Sequence, residues 1–140
     1  MITLNGYDFD YYEEFDLDGI EDYGYVDFYR NNDKIIRVYI DGFEVDTNYN
    51  DSPSSFNSNT GNIGYSSYSY DTISDVFVYT QFTDVDGNNY TEEQFLENNP
   101  DIEGLDIIVK QAEMYAKKLF TQWFEEDLWG YKIWQTIRQK

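Results

Sequence analysis

Apolar residues recur at steps of three and four along residues 101–140: Leu105, Ile108, Val109, Ala112, Tyr115, Ala116, Leu119, Phe120, Trp123 and Phe124. That spacing puts all of them on one stripe of an α-helix. The opposite side carries Lys110, Glu113, Lys117, Lys118 and Gln122, a solvated face. The rhythm continues past Glu125, Glu126 and Asp127 into Leu128, Tyr131, Trp134 and Ile137, and Gly130 marks a point where a second terminal helix would begin. Asp101 stands where an N-cap belongs. Just upstream, Thr91-Glu92-Glu93-Gln94 has the form of a capping box and heads a short helix that Asn98-Asn99-Pro100 stops.

Before residue 91 the period changes to two, the signature of strands. Residues 7–18 alternate carboxylates with aromatic or aliphatic side chains, and the doublet Tyr11-Tyr12-Glu13-Glu14 shifts the phase, which a bulge or turn would absorb. Residues 23–30 and 35–40 read as a hairpin joined by Asn31-Asn32-Asp33-Lys34, with Ile36, Val38 and Ile40 facing one way and Arg37 and Tyr39 the other. Asp41-Gly42 marks the next turn, and Phe43-Glu44-Val45 starts a further short strand. Residues 47–62 are rich in Asn, Ser, Asp, Gly and Pro and read as a flexible loop. Strand character returns weakly at 65–70 and clearly at 75–82, and Asp84-Val85-Asp86-Gly87-Asn88 ends it as a turn. The expected fold is one α+β domain over 1–140: a small antiparallel sheet packed against a short helix and one or two long C-terminal helices. Its parts are acidic strands (1–46), the loop (47–62), more strands (63–90) and helices (91–140).

Charge changes this picture from a scaffold to a surface. The chain has 28 acidic residues, 9 basic ones and no histidine, a net charge of −19. Residues 1–100 hold 21 acidic and 3 basic residues, whereas 101–140 hold 7 and 6. Between Asp8 and Asp27 there are nine carboxylates and no cation. Such acidity opposes compaction, but an aromatic content of 20% points to a folded chain. A phosphate backbone would be repelled, so no direct nucleic-acid partner is expected and basic proteins are the natural ones.

Several chemistries are excluded or weakened by residue type. Without cysteine there is no disulfide, thiol nucleophile or thiolate metal site; without histidine the common triads and zinc sites go too. No glycine-rich phosphate loop occurs. Paired carboxylates of the glycosidase kind carry no signal among 28 acids, because any spacing arises by chance. Aligning Gly87 with the sixth position of an EF-hand loop places Asp84, Asp86 and Glu93 at ligand positions. Phe82 then occupies the first, and a strand precedes the loop where a helix belongs. The expectation is a protein without catalytic activity or cofactor. The first residues lack the basic and apolar regions of a signal peptide, and no run approaches the roughly 20 apolar residues of a membrane span. A cytosolic location is expected (the host cytosol, if phage-encoded), with no membrane partner.

The candidate partner-binding residues are Asp8, Asp10, Glu13, Glu14, Asp16, Asp18, Glu21 and Asp22. Same-face residues on a strand are roughly 6–7 Å apart, so Asp8 with Asp10, or Glu14 with Asp16 and Asp18, would hold negative charges in a fixed row. In size, lack of cysteine, the carboxylates of 8–27 and its Asn- and Tyr-rich usage, the chain resembles the small acidic DNA-mimic inhibitors of phages and mobile elements, the anti-restriction and anti-CRISPR type. The resemblance is compositional and implies one mode of action: occluding the guide-, PAM- or DNA-binding surface of a nuclease. These inhibitors share no single fold, so no residue roles carry over. Two other readings stand beside it. One is an immunity or adaptor protein that binds a toxin or assembly partner through a face built from the fifteen tyrosines. The other is a phage structural component with Trp123, Trp129 and Trp134 buried in a homo-oligomer, a dimer being the simplest.

Overall fold

The computed structural model describes residues 1–17, 22–57 and 62–127. Six strands run β1 (Ile2–Leu4), β2 (Tyr7–Phe15), β3 (Gly24–Tyr29), β4 (Ile35–Asn57), β5 (Asn62–Thr83) and β6 (Asn89–Tyr90). They form one antiparallel sheet in the order of the chain, each strand beside its sequence neighbour. Helix α1 (Glu92–Asn98) and helix α2 (Leu105–Gln122) follow, and α2 runs on into a π-helical turn, Trp123–Asp127. The chain is thus α+β. Residues 128–140, where a second terminal helix and Trp129 and Trp134 were expected, lie outside the described residues.

Helix α2 lies across one face of the sheet, and the core is the seam between them. Leu105, Ile108, Ala112, Ala116 and Phe120 of the predicted stripe are buried. They meet Leu4, Phe9, Val26, Phe28, Ile36 and Val38 from the inner face of the strands, with Phe95 of α1 closing one end. At the other end Phe120 packs with Ile40 and Val76, and its ring lies 5.2 Å from Phe43 and 5.4 Å from Phe15. The small Ala112 and Ala116 let the helix approach the sheet closely, while the phenylalanines fill the two ends. No helix among the described residues is long and apolar enough to cross a membrane.

The capping box forms as predicted. Thr91 Oγ1 accepts from Gln94 N at 3.1 Å, and Gln94 Oε1 accepts from Thr91 N at 2.9 Å. Asp101 is not the cap of the long helix. That position is Gly104, in the left-handed region (φ 69°) and without a side-chain cap. Asp101 instead pairs with Arg30 at 2.6 Å, a partner far away in sequence that local pattern could not supply. Asn5 ties the β1–β2 turn to the start of the helix: its side chain donates to Glu103 O (3.2 Å) and its N–H to Gln111 Oε1 (2.6 Å).

Three further expectations give way to the strand ladder. Asp41-Gly42 is no turn; β4 runs through it with a register shift between Ile40 and Gly42. Ile40 and Phe43 both face the helix although they are three residues apart, and the extra residue of a bulge restores that phase. Conversely, β2 has no register shift between Asp10 and Phe15, where one was expected. Tyr12 and Glu13 take the outward and inward positions of an unbroken strand. Both positions stay exposed, so neither a charge nor a ring is forced into the core. Finally, the ladder continues through 47–57, read from composition as loop, and pairs Asn57 with Asn62. Backbone hydrogen bonds do not depend on side-chain hydrophobicity, and Pro53, which has no N–H to give, sits at a register shift between Pro53 and Ser55. Beyond the reach of β3, the β4–β5 pair is a two-stranded ribbon of sixteen residues a side from Gly42 to Asn57, roughly 50 Å at about 3.3 Å per residue.

Candidate functional site

Because α2 covers one face of the sheet, the other is open, and alternation decides what it shows. Phe9, Val26, Phe28, Ile36 and Val38 point into the core, so their neighbours point out. The register then sets rows across the strands: Asp10 beside Tyr29; Tyr12, Asp27, Arg37 and Gln81; Glu14, Tyr25, Tyr39 and Tyr79. Along β2 the outward sequence is Asp8, Asp10, Tyr12, Glu14, spanning roughly 20 Å at about 3.3 Å per residue. All four are exposed.

Each predicted binding residue has a definite place or lies outside the described residues. Asp8, Asp10 and Glu14 share the open face, and Asp16 is exposed just past the end of β2, its N–H bonded to Tyr23 O at 3.0 Å. Glu13 is separated from them: it falls on the helix side, where its charge acts on Tyr115. Asp22 is half-buried and accepts from Gly24 N at 3.0 Å, a turn role. Gly24 itself has φ 117°, and a Cβ there would stand 2.1 Å from Glu14 O, so only glycine lets β3 lie this close to β2. Asp18 and Glu21 lie outside the described residues.

The aromatic half of the face was legible only as a surplus of tyrosines. In the fold it becomes a continuous layer. Tyr39 stacks on Tyr79 with centroids 4.8 Å apart, and Tyr25 meets Tyr39 edge-on at 6.3 Å. The Arg37 guanidinium lies 4.1 Å from the Tyr25 ring centroid and binds Asp27 through two bonds of 2.7 and 3.0 Å. The hydrogen bonds to Asp27 hold Arg37 above its ordinary pKa, against the cost of burial. Tyr25 Oη donates to Glu14 at 2.7 Å; that bond, with burial and the Glu14 charge, pushes the Tyr25 phenol up to about 12. The out-in-out order Tyr25-Val26-Asp27-Phe28-Tyr29 was the available signal for this layer.

Few cations are left to offset the carboxylates. Arg37 is bound to Asp27 and Arg30 to Asp101, and Lys34 Nζ sits 3.6 Å from the Tyr90 ring centroid. Those three are every lysine and arginine of residues 1–100. The negative field of the open face is therefore largely uncompensated.

The turn once aligned with a calcium loop joins two strands. Its Asp84 oxygens accept from Asn88 Nδ2, from the N–H groups of Asp86 and Asn88, and from Tyr90 Oη, at 2.9–3.3 Å. These bonds, the Asn88 side chain first, hold the Asp84 carboxyl below its usual range. Glu93 belongs to α1, and no cluster of three or more potential metal ligands occurs among the described residues.

No protein-family model matches the chain, and no curated protein or solved structure matches it either.

Proposed function

We propose that this chain is a non-catalytic, acidic inhibitor that covers the nucleic-acid-binding surface of a basic nuclease, in the manner of anti-restriction and anti-CRISPR proteins. The observation that carries the reading is the row Asp8, Asp10, Glu14 on a strand paired with β1 at Asp8 and with β3 at Asp10 and Glu14, extended by exposed Asp16. Carboxylates on a rigid sheet keep their spacing when a partner approaches, as phosphates do on a duplex. Such a surface steers a basic partner quickly and loses its grip as salt rises. Tyr12 interrupts the row, and an exposed ring among charges gives a complex apolar area that steering alone lacks.

The alternative, an immunity or adaptor protein bound through its tyrosines, is favoured by the stacked Tyr39–Tyr79 pair on the same face. Nucleic acid separates the two. Partners are captured from a cell extract on the intact chain, and duplex DNA or RNA is then added as competitor. The inhibitor reading expects a nucleic-acid-binding protein that DNA or RNA displaces. It also expects capture to collapse when Asp8→Asn, Asp10→Asn, Glu14→Gln and Asp16→Asn are combined. A partner that ignores both competitor and substitutions removes the reading and leaves the adaptor.

A further inference from the structure

The open face is not flat. A hollow of about 310 Å³ opens between β2, β3 and β4, lined by the rings of Tyr12, Tyr25 and Tyr29. Its floor is the Asp27–Arg37 pair, both side chains only 11% exposed, and Val85, 72% exposed, stands at its rim. We propose that this hollow receives an arginine side chain of a basic protein partner. The inference rests on the reading of a basic partner and names the contact that would anchor it.

Charge and shape choose the occupant. Arg37, the cation lining the hollow, is already neutralised by Asp27, to which it donates two hydrogen bonds, so the floor neither attracts an anion strongly nor repels a cation. Around it stand Asp10, directly across from Tyr29, and Glu14, across from Tyr25 and bonded to its hydroxyl. The local field is thus negative. Phenol rings offer their electron-rich faces to a cation, and a planar guanidinium stacks on such a face better than a compact, strongly hydrated ammonium does. Arg37 over Tyr25 already shows that arrangement within the fold. Tyr12, 52% exposed and set between Asp10 and Glu14, is free to supply the next one. A guanidinium stacked there has N–H groups to spare for the Asp10 and Glu14 carboxylates.

A second copy of the chain is a poor occupant, since each brings a charge of −19 to the encounter.

The test needs no partner protein. The full chain, carbon-labelled in its tyrosine rings, is titrated with N-acetyl-argininamide, N-acetyl-lysinamide and N-acetyl-citrullinamide while ring resonances are followed by NMR. The arginine probe is expected to shift Tyr12, Tyr25 and Tyr29 and spare Tyr79, which lies outside the hollow. The lysine probe should bind several-fold more weakly, and the uncharged citrulline probe should leave the rings unmoved. Tyr12→Ala should weaken the arginine probe about 2- to 5-fold, and as an exposed position it leaves the fold intact. Citrulline shifts equal to those of arginine, or arginine binding that Tyr12→Ala does not change, would overturn the proposal. Arginine binding in the hollow with no nuclease captured would leave this inference standing and remove the proposed function. A captured nuclease, with rings unresponsive to the arginine probe, would do the reverse.

Discussion

On the covered face of the sheet stand Phe9, Val26, Phe28, Ile36 and Val38; on the open face stand Tyr12, Tyr25, Asp27, Arg37 and Tyr39, taken from the same three strands. Ring content barely differs between them. What differs is the phenol oxygen and the charge beside it. Phe9, Phe28, Phe95 and Phe120 take positions where no water reaches, while Phe77 is the exception, 44% exposed on the open face. Tyrosine takes the positions where a ring packs sideways on its neighbours while its hydroxyl finds water or a carboxylate. A sheet with one apolar face needs only the helix to be stable, which leaves the other face free to be selected for contact.

Substitutions sharpen that contrast, and the largest effect should fall on the covered face. Phe120→Ala should cost about 3–5 kcal/mol in urea unfolding, whereas Tyr12→Ala should stay within about 0.5 kcal/mol. Similar losses at the two would mean that the open face also holds the fold together. Next in size is Arg37→Met. It strands the Asp27 carboxylate, 7% exposed, and should cost about 2–3 kcal/mol; much of this should return when Asp27→Leu is added, measured as a double-mutant cycle.

Smaller, and opposite in sign, is the effect of removing open-face charge. Sodium chloride should raise the melting temperature of the native chain by screening self-repulsion. The combined Asp8→Asn, Asp10→Asn, Glu14→Gln, Asp16→Asn variant should start higher and respond less. A midpoint that falls with added salt would break the claim that these charges are uncompensated.

The smallest effect is a titration. Tyr25 should ionise near 12, not 10, and Glu14→Gln should return it towards 10, read from labelled tyrosine ring carbons. Because the folded value is raised, the stability from this bond is fully present below pH 10. It is lost as pH rises through about 12. An unchanged Tyr25 in Glu14→Gln would show that the bond to Glu14 is not the cause.

How far the fold was legible follows from which signals are local. The α2 stripe and the Thr91 capping box were readable because a helix and its cap are made by neighbours in sequence. The hairpin of β3 and β4 was readable because Ile36, Val38 and Ile40 alternate cleanly. The Asn5-Gly6 turn between β1 and β2 was missed, although its positive φ values of 48° and 86° are those its residue types favour. Composition misled at 47–57, since a ladder can carry Ser and Asn as readily as Val. Period two alone put Asp8 with Asp10 on one face of β2; that Glu14 shares it was hidden by the expected phase shift. The split of Glu13 from Asp10 and Glu14 was not legible, because the doublets suggested a bulge that an unbroken strand does not need. The tyrosine layer required the register, which joins residues as distant as Tyr25 and Tyr79.

Hydroxyl-radical footprinting of the captured complex tests most directly whether the open face is the working surface. Reporters stand on both sides of the molecule: Tyr12, Phe77 and Tyr79 on the open face, 52%, 44% and 39% exposed, and Met114 on the outer side of α2, 70% exposed. Complex formation is expected to protect Tyr12 first and most, with Met114 oxidised as readily as in the free chain. Protection of Met114 with Tyr12 unchanged would place the partner on the helix and contradict the assignment of the acidic, tyrosine-lined face as the contact.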